Sequence, residues 1–177
     1  MKNIKIMMVT MAVVLGLALM LPASTALETK ILIVKEANLT IDLDSAFSIS
    51  NMLVAEDDVQ VILVENVEDP SAGNAAILVA NIIVPEKPDP QLQSTFMEKF
   101  MIGYFELRGD KEVGNFSVND SYGREVIVHT FSEKTQTTPG GRYDFASWYL
   151  DEWNYIFLRS SLNDTTISII ETLAIVP

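Results

Sequence analysis

The sequence predicts an α+β fold: an antiparallel β-sheet of about six or seven strands, packed with one long helix over about residues 90–105 and a short C-terminal helix over about 165–174. Three observations predict it. Leu39, Ile41 and Leu43 alternate with polar neighbours, the period of a half-buried strand. Leu92, Phe96, Phe100 and Tyr104 recur every four residues, the period of an amphipathic helix. Beyond that helix, apolar runs come in pairs around short polar turns, at 111–131 and 143–160, as antiparallel hairpins do. Strands arriving in hairpins with helices set apart from them define α+β rather than a parallel βαβ arrangement.

The first segment reads as an address. Lys2 and Lys5 precede an apolar run from Ile6 to Leu21, Pro22 ends it, and Ser24 and Ala26 place small residues at a cleavage site. This is the three-part pattern of a secretory signal. Residues 1–26 are expected to be removed after Ala26, leaving residues 27–177 as a single domain. The alternative is an uncleaved anchor, because Ile4 to Ala23 is just long enough to span a bilayer.

Lys30–Glu36 is a short apolar run, and Leu39–Leu43 the first clear strand, with Phe47 and Ile49 continuing its alternation. Asp57-Asp58 reads as a turn, Val59–Val67 as a β-branched strand, and Glu68–Asn74 as a second turn. Ala75–Val84 is almost continuously apolar, as a central strand covered on both faces is. Pro85–Pro88 breaks the sheet. Asp89 is a suitable helix cap and Pro90 a suitable first helical residue, and Gly109 marks the far end. The stripe Leu92, Phe96, Phe100, Tyr104, with Met97 and Met101 beside it, is expected to pack on the sheet. Lys111–Val118 and Arg124–Phe131 form one hairpin around Asn119–Gly123. Tyr143–Leu150 and Trp153–Ser160 form another around Asp151-Glu152. With a two-residue loop, Trp148 would face Tyr155 and Asp144 would face Arg159. Asp164 is expected to cap the closing helix.

The apolar strand Ala75–Val84, the break and helix after Pro88, the hairpin YDFASWYL with WNYIFL, and the closing Thr165–Val176 segment together resemble the PsbP-like superfamily of antiparallel α+β domains, over roughly Thr40 to Val176. The resemblance is one of element order and implies a non-catalytic exported or lumenal accessory domain. It carries over no functional residue.

Composition narrows the function classes. The chain has 177 residues, no Cys and one His. That excludes a disulfide framework, a thiol nucleophile and a multi-histidine metal site. There are 24 acids against 12 bases, and without residues 1–26 the balance is 24 against 10. So acidic a chain lacks the Lys and Arg that phosphate contacts require, and no nucleic-acid partner is expected. Ten acids, from Glu36 to Glu86, lie in one stretch without a Lys or Arg. That stretch is expected to be a solvated face, with a basic partner or a cation as the other candidates. Asn38, Asn115, Asn119 and Asn163 each begin an Asn-X-Ser/Thr sequon and are candidate glycosylation sites. His129, alone in a strand, is expected to be structural rather than a general base. The seven aromatics between Tyr143 and Phe157 are expected to be core. No phosphate loop, dinucleotide fingerprint or nucleophile elbow is present, so no catalytic residue, metal or cofactor is expected. The expected function is an exported, non-catalytic cell-surface or extracytoplasmic accessory domain that binds a protein or envelope component. It would touch the membrane only through an uncleaved N-terminus. The alternative is an extracytoplasmic hydrolase using paired carboxylates.

Overall fold

The computed structural model describes residues 27–34, 37–53, 59–81, 90–152 and 154–176. Residues 1–26, Asp57-Asp58, Pro85–Pro88, Asp89 and Trp153 lie outside them, and with them the signal, one turn, the sheet break and the helix cap read from the sequence.

Five strands come first: β1 (Leu27–Val34), β2 (Ala37–Asp44), β3 (Phe47–Leu53), β4 (Val59–Asn66) and β5 (Asn74–Asn81). Helix α1 (Pro90–Arg108) follows, then β6 (Lys111–Asn119), β7 (Glu125–Ser132), β8 (Arg142–Tyr149) and β9 (Asn154–Ser160). The chain closes with α2 (Asn163–Thr172) and the two-residue β10 (Ala174–Ile175).

The strands form two sheets rather than the one expected. The larger has seven strands in the order β3-β4-β5-β9-β8-β7-β6, and the smaller three in the order β1-β2-β10. Every neighbouring pair is antiparallel. The first hairpin therefore leaves the main sheet and pairs with the chain end.

Side chains alternate across a strand, and β8 shows what each face meets. Ala146 and Trp148 point into a core shared with Leu39, Ile41 and Leu43 of β2, Ile77 of β5 and Ile169 and Ile170 of α2. Tyr143 and Phe145 point the other way, onto Phe131 and Phe105 of α1. The large sheet is thus covered on one face by the small sheet and α2, and on the other by α1. Each fully buried Ile or Leu stabilises by roughly 1.5–3 kcal/mol, and β2 supplies three of them. Hydroxyls bind α2 to β2: Thr172 Oγ1 accepts from Asp42 N at 3.0 Å, and Ser168 Oγ donates to Asp42 O at 3.0 Å.

The β8–β9 register differs by one residue from the expected one. Trp148 pairs with Ile156, Tyr149 with Tyr155, and Asp144 with Ser160 rather than Arg159. The cause is local. Asp151 Oδ1 accepts from Asn154 N at 2.6 Å, and its carboxylate also takes Asn154 Nδ2. This side-chain bond spans three residues and closes a longer loop, and Leu150 N bonds to Asn154 O across it. A one-residue slip moves side chains to the other face, so Trp148 joins Ile156 and Leu158, away from Tyr155. The closing helix also starts earlier than expected. Asp164 lies in its first turn and Leu162 at the cap position, so Asp164 acts on the helix dipole rather than as the cap.

Strands β3 and β6 are the edges of the large sheet. In β6 the ladder is interrupted by a bulge between Glu112 and Gly114.

Candidate functional site

Helix α1 presents its two sides differently. Met101, Ile102 and Phe105 meet Phe131, Tyr143 and Phe145. Phe105 sits 5.2–5.4 Å, ring centre to ring centre, from all three aromatics in edge-to-face contact, an arrangement favoured by the ring quadrupole. The other side carries Leu92, Phe96, Phe100, Tyr104 and Leu107, which are 71%, 65%, 60%, 47% and 90% exposed. The stripe expected to be core is therefore the outer face. Both sides of α1 are apolar, and the turn after it decides between them. Gly109 takes φ +92°, a conformation open to glycine. Its N–H bonds to Glu106 O and that of Asp110 to Phe105 O, the pattern of a Schellman cap. With Asp110 buried just behind this cap, Phe105 is the side chain turned to the sheet.

A second anchor lies toward the middle of α1. His129 of β7 is 6% exposed. Its Nδ1 lies 2.8 Å from Glu112 Oε1 on β6, and its Nε2 lies 2.9 Å from Glu98 Oε1 on α1. The hydrogen bond and charge of His129 help hold the Glu112 carboxyl below its ordinary range, against the opposing effect of burial. Both ring nitrogens are occupied, so His129 has no free nitrogen for taking a proton from a substrate. The two carboxylates stand on opposite sides of the ring and do not converge. Among the described residues no group of three or more His, Asp or Glu is placed to hold a metal ion.

A third cluster lies beneath the end of α1. Tyr143 Oη donates to Asp110 Oδ2 at 2.9 Å, and Asp110 Oδ1 takes Lys134 N. The Arg159 guanidinium lies 4.1 Å from the centre of the Tyr143 ring and donates to Glu133 Oε1 at 3.0 Å. Glu133 also accepts from Thr137 Oγ1, Thr138 N and Thr138 Oγ1. Burial pushes its carboxyl up, but these donors and the Arg159 charge outweigh it and bring the pKa down to about 2. The network fixes the loop 133–141 against β9.

Asp144 and Arg159, expected to face each other, therefore have separate partners. Asp144 turns into the α2 side and accepts from Thr130 Oγ1 at 2.8 Å. Burial raises its pKa, opposed by hydrogen bonds from Thr130 and Thr166.

The remaining predicted residues disperse. Asn38, Asn115 and Asn119 are exposed, on β2 and β6, and Asn163 opens α2. The Asn115 amide donates to Glu112 Oε1 at 3.3 Å. Of the hairpin aromatics, Tyr143, Phe145, Trp148 and Tyr155 are buried and Tyr149 and Phe157 half-buried. The indole N–H of Trp148 has no hydrogen-bond partner among the described residues. Within the acidic stretch, Asp42 accepts from Thr29 Oγ1, and Asp44 and Asp69 from the turn amides of Ala46 and Ser71. Glu65 and Glu68 are exposed.

Around Gly103, Lys99, Phe100, Tyr104, Glu106 and Leu107 outline an open notch of about 640 Å³ on the outer face of α1. Sequence reasoning found Phe100 and Tyr104 but assigned them inward, and it did not single out Lys99, Gly103, Glu106 or Leu107. It missed Glu98 and Glu112, whose partner His129 is distant in sequence, and Glu133, which joins Thr137 and Thr138 nearby to the distant Arg159. The chain matches no family model and no curated protein.

Proposed function

We propose that this protein is an exported, non-catalytic accessory domain that works by binding, with the outer face of α1 as its contact surface. The observation that carries the reading is the row of five large apolar side chains exposed along one helix. Contiguous apolar surface of this kind marks interaction sites on soluble proteins. The buried ionisable groups support it from the other side. His129, Asp110, Glu133 and Asp144 are each engaged by named partners that tie elements together. The notch on α1 and the cleft between Ser48 and Asn74 each hold a single carboxylate, Glu106 and Glu65, which offers the hydrolase alternative no pair there. Export rests on the signal pattern of residues 1–26. The resemblance to PsbP-like domains is supported by an antiparallel seven-stranded sheet with a long helix between β5 and β6.

Photo-crosslinking in the native cell envelope tests the reading, with the crosslinker at position 100 or, as a control, at Glu65. The expected result is a discrete adduct from position 100, abolished by Leu107→Asp, and none from Glu65. Equal adducts from both positions, or none from position 100, would overturn it.

A further inference from the structure

We infer that the occupant of the α1 outer face is a second copy of this chain, docked helix to helix and antiparallel about a two-fold axis beside Gly103. The inference rests on the binding role proposed above and names the partner.

The face is complementary to itself. Lys99 and Glu106 are exposed on the same flank of the apolar stripe, seven residues apart, and among the described residues neither forms an ion pair. Two antiparallel helices related by a two-fold axis bring the same flank of each together. Such a pair sets Lys99 of each copy opposite Glu106 of the other when the axis crosses midway between them, between Ile102 and Gly103. That level is where α1 is thinnest: a Cβ added to Gly103 would meet nothing within 4 Å. A residue without a side chain at the crossing point lets two helices approach closely.

The same axis puts the large side chains in register. Phe100 falls between Tyr104 and Leu107 of the other copy, and Phe96 beside its Leu107. The notch around Gly103 thus receives an aromatic ring from each copy. Rings of 150–250 Å² each, about half to two-thirds exposed here, together with Leu107, offer on the order of 500 Å² per copy. A standard interface takes about 800 Å² per partner, so the pair is expected to be modest, dissociating at about 1–100 μM. A lipid surface fits less well, because Glu106 flanks the stripe beside Tyr104 and Leu107 and would be carried into the headgroups.

Sedimentation equilibrium on the full chain, with charge reversals at the paired positions, tests this. Lys99→Glu alone and Glu106→Lys alone are each expected to weaken the dimer at least ten-fold, by setting like charges together. The double reversal is expected to restore it to within about three-fold. Association through the apolar N-terminal stretch would ignore both reversals and would overturn the inference, as would a wild-type monomer throughout the concentration range. Gly103→Cys supplies an independent arm, since the chain has no other Cys. Mild oxidation should yield a covalent dimer, and Glu65→Cys should not. A protein that stays monomeric while co-floating with phosphatidylcholine–phosphatidylglycerol vesicles would reassign the face to lipid. Position 100 would still crosslink in the envelope in that case, so the binding role would stand while the dimer fell.

Discussion

Glu133 and Asp144 are both buried carboxylates, yet they should move stability in opposite directions with pH. Glu133 has four donors around it and a pKa of about 2, against an ordinary 4.5. As pH falls the unfolded chain takes up this proton first. The stabilisation is therefore complete above about pH 4.5 and is lost as pH falls toward 2. Glu133→Gln should flatten that limb when urea midpoints are followed from pH 2 to 5. Glu133→Ala, which strands Arg159, should cost about 3 kcal/mol at neutral pH. Asp144 is held above its ordinary 3.8 chiefly by burial. Its folded state keeps the proton to higher pH than the unfolded chain, so its contribution falls as pH rises from 3.8 through the raised value. Asp144→Asn should leave stability at pH 7 unchanged or higher by up to about 1 kcal/mol, as read from the same midpoints. Neither role was legible in the sequence. The side chains that decide them, Thr137 and Arg159 for one and Thr130 and Thr166 for the other, are assembled only by the sheet and α2.

At the level of elements, α1 is held to the sheet by Phe105 at one end and by Glu98 on His129 nearer its middle. A double-mutant cycle of Glu98→Ala and His129→Ala should give a coupling of about 1 kcal/mol. Either single change should speed amide exchange in the first half of α1 more than in its last turn, where the Gly109 cap persists. The helix itself was legible, because Pro90 starts it and Gly109 ends it. Its orientation was not. Apolar residues at 92, 96, 100 and 104 and at 97, 101 and 105 give two stripes of equal period, and periodicity does not say which one a sheet will cover. The second hairpin was legible to within one residue, and the remainder depended on a single carboxylate, Asp151, reaching Asn154 N.

At the scale of the whole molecule, the two sheets share one core. Ile41 of the small sheet and Ile77 of the large one are both fully buried in it. Ile41→Ala and Ile77→Ala should each cost 2–5 kcal/mol, as typical of such truncations. Both should lower the same denaturation transition, seen alike by far-ultraviolet circular dichroism and by tryptophan fluorescence. Two separate transitions would show that the sheets unfold independently. The alternation of Leu39, Ile41 and Leu43 made β2 visible from the sequence. That β2 would leave the main sheet to pair Thr40 with Ala174 and Leu39 with Ile175 depends on a partner at the far end of the sequence, which no local pattern records.

A sheet with two open edges is in principle a unit of an endless polymer, since each edge can accept the next molecule's strand. The irregularity in β6 between Glu112 and Gly114 bears on that hazard. An extra residue twists the strand and breaks the even row of donors and acceptors that an incoming strand would read. It lies beside Lys111 and Glu112, whose charges further discourage stacking. Deleting Val113 would straighten the row. The shortened protein should then form fibrils that bind thioflavin T at concentrations where the parent stays clear. The bulge thus sets a limit on assembly at this edge: β6 is kept from continuing the sheet from one copy into the next.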